Sequence, residues 1–138
     1  MTRGDHHEIT TKVQFDLVSD HPVPVDVELR YDTRDPFAVY ALFEPEGARA
    51  VQWILSRDLL ADGLIVRSGD GDVRIWPDAD DAEMVMIEFV TPKGQARFEA
   101  FAQDIADFLD TTYEVVLPGA EDNWFDFDHE IQRMIAAG

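Results

Sequence analysis

Carboxylates dominate the residues that could do chemistry in this sequence. Asp70 and Asp72 flank a glycine, and Asp78, Asp80, Asp81 and Glu83 crowd one short segment. Calcium loops need alternating oxygen ligands, a central glycine and a terminal bidentate glutamate. Neither run has that order, so the first is expected as a solvated hairpin tip and the second as a solvated loop. Acid–base catalysis by paired carboxylates requires surroundings that drive two pKa values apart, and among 29 Asp and Glu mere proximity marks no such pair. Of four histidines, His6 and His7 lie in a tail expected to fray, His21 precedes a proline, and His129 opens a C-terminal helical pattern. The chain has no His-x3-His, nucleophile elbow or Gly-rich phosphate loop. With no cysteine, disulfides, thiolate zinc sites and cysteine nucleophiles are excluded. No cofactor, metal or catalytic residue is expected.

Aromatic side chains are the other candidates. Tyr31, Tyr40, Trp53 and Trp76 fall in strand-like segments and could stack on nucleic-acid bases, which also requires a cationic groove. The eleven Lys and Arg are scattered one at a time from Arg3 to Arg133, and the net charge is −18. Phosphate backbones and anionic headgroups are repelled by such a chain, so packing is the expected role of each aromatic and nucleic acid is not an expected partner. Scarcity makes Arg57 and Arg74 informative, because each either pairs internally, the preferred reading, or holds a specific acidic contact. Trp124-Phe-Asp-Phe-Asp interleaves aromatics with acids, a pattern that suits either a basic groove on another protein or packing of the last helix.

The elements that must position these residues follow from hydrophobic period. Alternation predicts strands at 11–18, with Val13, Phe15 and Leu17 on one face, and at 25–31; apolar runs at 37–43 and 50–55 predict two more, the four forming an antiparallel meander. Ser56 is expected to cap a short helix over 57–62 that Gly63 terminates. Strands are expected at 64–67 and 72–76 around Ser-Gly-Asp-Gly, and a seventh at 83–90, where Met84 to Ile87 imply burial on both faces. Thr91 and Pro92 read as the N-cap and first residue of a long helix whose stripe is Phe98, Phe101, Ala102, Ile105, Phe108 and Leu109. A shorter final helix is expected through Phe127, Ile131, Met134 and Ile135.

These elements fit one domain over 1–138, with 1–9 flexible. The 138 residues, 46% of them apolar, suffice for a core without staples. No charge-free run exceeds the eight residues 36–43, so no membrane span is expected. The N-terminus lacks the apolar region of a secretory signal, which predicts a cytoplasmic protein.

Several ordered segments carry a resemblance: Leu29-Arg-Tyr-Asp-Thr-Arg-Asp-Pro-Phe-Ala-Val, Trp53, Arg57-Asp-Leu-Leu-Ala-Asp-Gly-Leu, Gly71-Asp-Val-Arg-Ile-Trp-Pro and Phe125-Asp-Phe-Asp-His-Glu-Ile. Together they make the sequence similar to the SsgA-like sporulation and cell-division proteins of actinomycetes, nearest to the SsgB type. The resemblance implies an α+β fold in which antiparallel sheets of about seven strands are packed by a long C-terminal helix and a shorter final helix, similar to Whirly-type single-stranded nucleic-acid binding folds. It further implies a homotrimer without enzyme activity that acts at division septa, recruiting the tubulin-like GTPase FtsZ, with an SsgA-type paralogue as a further partner. Single-stranded nucleic-acid binding is the alternative reading. Candidate partner contacts are Arg57, Asp58, Arg74, Trp76 and Trp124. Apolar surface for self-association is expected at Val39, Leu42, Trp53 and Ile54.

Overall fold

A computed structural model describes residues 6–124. The chain order is β1 (Glu8–Leu17), β2 (Val23–Asp32), β3 (Ala38–Glu44), β4 (Val51–Ser56), α1 (Arg57–Gly63), β5 (Val73–Pro77), β6 (Met84–Thr91), β7 (Gly94–Phe101), α2 (Ala102–Val115) and a 3-10 turn (Glu121–Asn123). The strands form one antiparallel sheet in the order β4-β3-β2-β1-β7-β6-β5. The fold is α+β, and its first four strands are the meander that alternation predicts.

One face of every strand supplies the core. The register sets Val27 opposite Val13 and Phe43, Ala41 opposite Trp53, Phe15 opposite Ala100, and Ile87 opposite Phe98 and Ile75. The sheet curls around this face until strands far apart in its order meet: Trp53 of β4 lies with its ring centroid 4.5 Å from Phe89 of β6, and Phe43 of β3 lies 4.9 Å from Phe98 of β7. Tilted and edge-on aromatic pairs of this kind add to burial, because ring edges and faces carry opposite partial charge. Val39 is fully buried and Trp53 mostly so, so this part of the expected self-association surface is used inside the fold; Ile54 is exposed.

Three expectations fail for identifiable reasons. The helix does not begin at Pro92. Thr91 and Gly94 close a tight turn, in which the Thr91 hydroxyl donates to Gly94 O at 3.1 Å and Gly94 takes φ 143°. The following residues form β7, with Phe98 and Ala100 buried while Gln95 and Arg97 face outward. Phe98 and Phe101 satisfy a helical spacing with Ile105 and Phe108 by coincidence, since a period of two and one of 3.6 overlap over so few residues. Only Ala102, Ile105, Phe108 and Leu109 of that stripe belong to α2. Residues 64–67 are not a strand either: Ser68 alone pairs with Ile75. Finally, β1 reaches into the expected tail, because Glu8 and Ile9 pair with Asp32 and Tyr31 and the His7 N–H donates to the Thr33 hydroxyl at 3.0 Å. The final helix expected through Phe127 and Ile135 lies outside the described residues.

Helix α1 starts where expected but runs through Gly63, with its C-cap on Leu64: the Ser56 hydroxyl accepts from the Leu59 N–H at 3.2 Å, and Asp58 sits in the first turn, where the helix dipole favours an acid. Gly63 in its last turn lies directly against Ile75, so a Cβ there would run into that side chain. Overpacking of this sort costs about 1–3 kcal/mol. Gly63→Ala should therefore lower the free energy of urea unfolding by about that much, whereas Gly71→Ala, which meets nothing, should stay within about 0.5 kcal/mol of wild type.

Candidate protein-interaction site

The outer face of β5, β6 and β7 gathers charge. Because Ile75 points into the core, Arg74 and Trp76 on either side of it point out, as strand alternation requires. Arg74 stands opposite Glu88, and Glu88 opposite Arg97. The Arg97 Nη2 donates to Glu88 Oε2 at 2.8 Å, and the Arg74 Nη1 lies 3.5 Å from Glu88 Oε1. Glu88 is buried between the two arginines, which stay partly exposed. Arg67, from the segment between α1 and β5, stacks its guanidinium 4.4 Å from the Trp76 ring centroid, and Arg97 lies 5.3 Å from the same ring. Two guanidiniums thus lie against one half-buried tryptophan, and a third, that of Arg74, shares its outer face beside Glu88. Cation–π contacts at such sites contribute about 0.5–1 kcal/mol each. Next to this cluster the sign reverses: burial, then Asp78, Asp81 and Asp16, push the Glu99 carboxyl above its ordinary value. Trp and Arg are the side chains that most often dominate protein contacts.

Of the residues singled out from the sequence, Arg74 and Trp76 come together here. Arg67, Glu88 and Arg97 were missed. Arg97 was hidden by the helical reading of residues 91–101; as part of a strand it alternates outward with Gln95 and Glu99. Arg57 lies in the interior, 1% exposed. Its Nη2 donates to Glu121 Oε1 at 2.6 Å, its Nη1 to Val116 O at 2.7 Å, and its guanidinium lies between the rings of Tyr31 and Tyr113 at 5.0 and 4.9 Å. Asp58 is exposed at the start of α1. Trp124 is half-buried with its ring 6.4 Å from those of His6 and His7, at the start of β1. The aromatics weighed as a stacking platform are dispersed: Tyr31 is buried, Trp53 faces the core, and Tyr40 faces outward to donate to Asp35 Oδ2 at 2.7 Å. The acidic loop caps itself, Asp78 and Asp81 accepting from the backbone N–H groups of Asp80 and Glu83.

The Arg57 network positions the site by fixing α1, from which the chain runs back to Arg67 and β5. Burial raises the Glu121 carboxyl, but the Arg57 hydrogen bond, then backbone N–H groups including that of Gly119, together lower it below its ordinary value. Burial also pushes the Tyr31 hydroxyl up to about 12, so it remains a donor to Pro36 O at 2.8 Å. Removing one partner of a buried pair strands the other, at about 3–5 kcal/mol. Arg57→Ala should lose that much stability in chemical unfolding. A carboxylate whose folded pKa is depressed contributes stability that is present above its unfolded value and lost as pH falls through the folded one. The deficit of Glu121→Gln relative to wild type should therefore be largest near neutrality and shrink on acidification below the ordinary carboxylate pKa of 4.5. Parallel unfolding curves for the two proteins across that range check this.

Comparison with known proteins agrees with the fold. The family model described as Streptomyces sporulation and cell division protein, SsgA, matches residues 25–121, a span that holds Arg57, Arg74, Trp76, Glu88 and Arg97. The sporulation-specific cell division protein SsgB of Saccharopolyspora erythraea is 52% identical over 135 residues, covering 96% of each chain. That of Thermobifida fusca is 43% identical over 131 residues, covering 93% of this chain and 95% of the other. A crystal structure of an SsgA-like sporulation-specific cell division protein from Thermobifida fusca superimposes with a TM-score of 0.85 at 40% identity, over 96% of this chain and 99% of that one. A structure reported with mutations in SsgB that correlate to longitudinal cell division during sporulation of Streptomyces coelicolor gives 0.81 at 38% identity, over 87% and 97%. The chain belongs to the SsgA family of sporulation and cell division proteins.

Proposed function

We propose that this chain is a non-enzymatic cell-division regulator that positions septa by recruiting FtsZ through protein contacts, with the Trp76–arginine cluster as the docking surface. Its place of action on this reading is the cytoplasmic face of the division septum. The observation that carries the surface is the concentration of Arg67, Arg74 and Arg97 around one tryptophan in a chain of net charge −18. Elsewhere the acidic surface repels an acidic partner, so the cluster sets both place and orientation of contact. Arg74 and Trp76 touch the partner, Asp58 and Trp124 are further candidate contacts, and Arg57 acts from inside by holding α1. A homotrimer, built in part from the exposed apolar side chains Ile65, Val66 and Leu117, presents three copies of the cluster and gains avidity on a filament. An SsgA-type paralogue is a further partner.

Co-sedimentation with FtsZ filaments of the same host tests this. Wild type should pellet with filaments, and Trp76→Ala or Arg67→Glu should weaken binding by about 2 kcal/mol, roughly thirtyfold, while leaving the circular dichroism unchanged. Unaltered pelleting of both variants would remove the cluster from the reading, and absence of wild-type pelleting would remove FtsZ. Light scattering gives the trimer its own test: its mass should persist as salt rises, since the contact is apolar and salt screens the repulsion between copies.

Single-stranded nucleic acid remains a second reading, because a tryptophan between two guanidiniums is also a stacking platform. Binding in a shift assay at about 150 mM salt, close to physiological ionic strength, would favour it.

A further inference from the structure

The two edges of the sheet are treated differently. Along β5 the outer edge is occupied: the Ser68 N–H donates to Ile75 O at 2.8 Å and the Ile75 N–H returns to Ser68 O at 2.9 Å. Arg74 adds charge to that strand and Pro77 ends it. These are recognised ways of blunting an edge. In β4 no residue is charged and none is proline, and its one neighbouring strand is β3. The Arg57 N–H donates to Phe37 O at 2.8 Å, which fixes the alternation of the β3–β4 ladder. Leu55, Trp53 and Val51 exchange hydrogen bonds with β3, so the backbone groups of Gln52 and Ile54 point the other way. Among the described residues no strand lies against them. Val51 and Ile54 beside this edge are 49% and 58% exposed.

A cavity of about 480 Å³ opens beside the same edge, where β4 begins. This is a mouth of the curled sheet, and its size is that of ordinary ligand sites. Phe43, Val51, Trp53, Phe89 and Phe98 line it, and among the described residues Lys93 in the β6–β7 turn is its single charged lining residue. In a chain with 29 acids, a cavity whose described walls hold one ammonium and no carboxylate fits an apolar group that brings a carboxylate.

We propose that the free edge of β4 and this cavity together dock an extended peptide segment of a partner protein. The segment adds a strand to β4, seats an apolar side chain in the cavity, and sets a carboxylate against Lys93. Main-chain bonds to an edge with alternate side chains in pockets are a general mode of peptide capture. In a strand added beside Gln52 and Ile54, every second side chain lies on the face of Val51 and Trp53, toward the cavity. A second copy of the chain at this edge is the competing occupant, and the self-association proposed above uses other apolar side chains, Ile65, Val66 and Leu117. Trp124, the last described residue, lies at the opposite end of the sheet, beside His6 and His7. The proposal does not rest on FtsZ as partner, and it uses a different surface from the Trp76 cluster.

The probe is a fluorescein-labelled hexapeptide alternating threonine with leucine and ending in a free-acid aspartate, titrated with the full chain by fluorescence polarisation. Saturable binding is expected, weakened about tenfold or more by amidating the peptide's end and replacing its aspartate with asparagine, or by Lys93→Glu. Gln52→Pro, which deletes an outward N–H at a position where edge strands tolerate proline, should abolish it. Should that variant fail to fold by circular dichroism, N-methylation of alternate peptide amides makes the same test on the unaltered protein and should likewise abolish binding. The proposal is overturned by binding that survives N-methylation, by no saturable binding into the millimolar range, or by a fall in the unliganded protein's light-scattering mass on Gln52→Pro, which would assign the edge to a second copy.

Discussion

Arg57 carries a full charge into the interior, where it costs several kcal/mol unless nearly every donor finds an acceptor. Those acceptors come from distant places: the last turn of α2 through Thr112 and Val116, the following residue Leu117, and Glu121 in the 3-10 turn. The guanidinium plane is covered by Tyr31 from β2 and Tyr113 from α2. Only its Nε lacks an acceptor among the described residues. Satisfying one side chain therefore fixes where α2 ends and where the 3-10 turn after it sits. Residue 57 is also the first residue of α1, so the same network anchors the crossing from β4 to β5.

That anchoring explains why one end of the curled sheet is closed and the other open. α1 crosses between the two edge strands at the end where β4 finishes, and Gly63 lets it approach Ile75 without an intervening side chain. Among the described residues no comparable element crosses where β4 begins, so Phe43, Trp53, Phe89 and Phe98 meet around a cavity rather than beneath a helix. Strand alternation then separates the two kinds of chemistry on β5 to β7. Inward residues build the aromatic core, and the outward residues one position away build the Arg74–Glu88–Arg97 row and carry Trp76. Neither set can change register without exchanging places with the other, which fixes the outer cluster as firmly as the core.

Patterns within one strand were legible in the sequence, as were the first four strands and the α1 cap. Long-range competition was not. Residues 94–101 match a strand locally and a helix when joined to Ile105 and Phe108; the choice is made by pairing with β1 and β6, which no local period reports. Residues 64–67 look like a strand, yet the path from α1 back to β5 leaves only Ser68 in position to pair. Of the outer cluster, Arg74 and Trp76 were visible as scarce residue types on a clear strand. Arg67 and Arg97 were not, because their relation to Trp76 depends on a loop path and on the strand misread as helix. The expected internal pairing of Arg57 was physically well motivated, since a lone cation amid apolar neighbours is stable only when paired, but Glu121 is 64 residues away and nothing local points to it.

Charge economy connects these features. With 11 basic and 29 acidic side chains, random placement would leave most cations neutralised by a nearby acid at the surface, as Arg34 is by Asp32 at 2.7 Å. Such exposed pairs contribute little. The cations that escape this fate sit where an aromatic, not a carboxylate, is the main neighbour: Arg67 over Trp76, and Lys93 at the rim of the aromatic cavity. A guanidinium or ammonium held against a ring keeps much of its capacity to attract an anion, because the ring's partial charge compensates it only weakly. The surplus of acids then works as the opposing half of specificity. Acidic partners are repelled from most of the surface over a screening length of about 8 Å, so discrimination comes from repulsion at wrong sites as much as from attraction at right ones. A few cations suffice for recognition under those conditions, provided the fold holds them apart from the carboxylates that outnumber them.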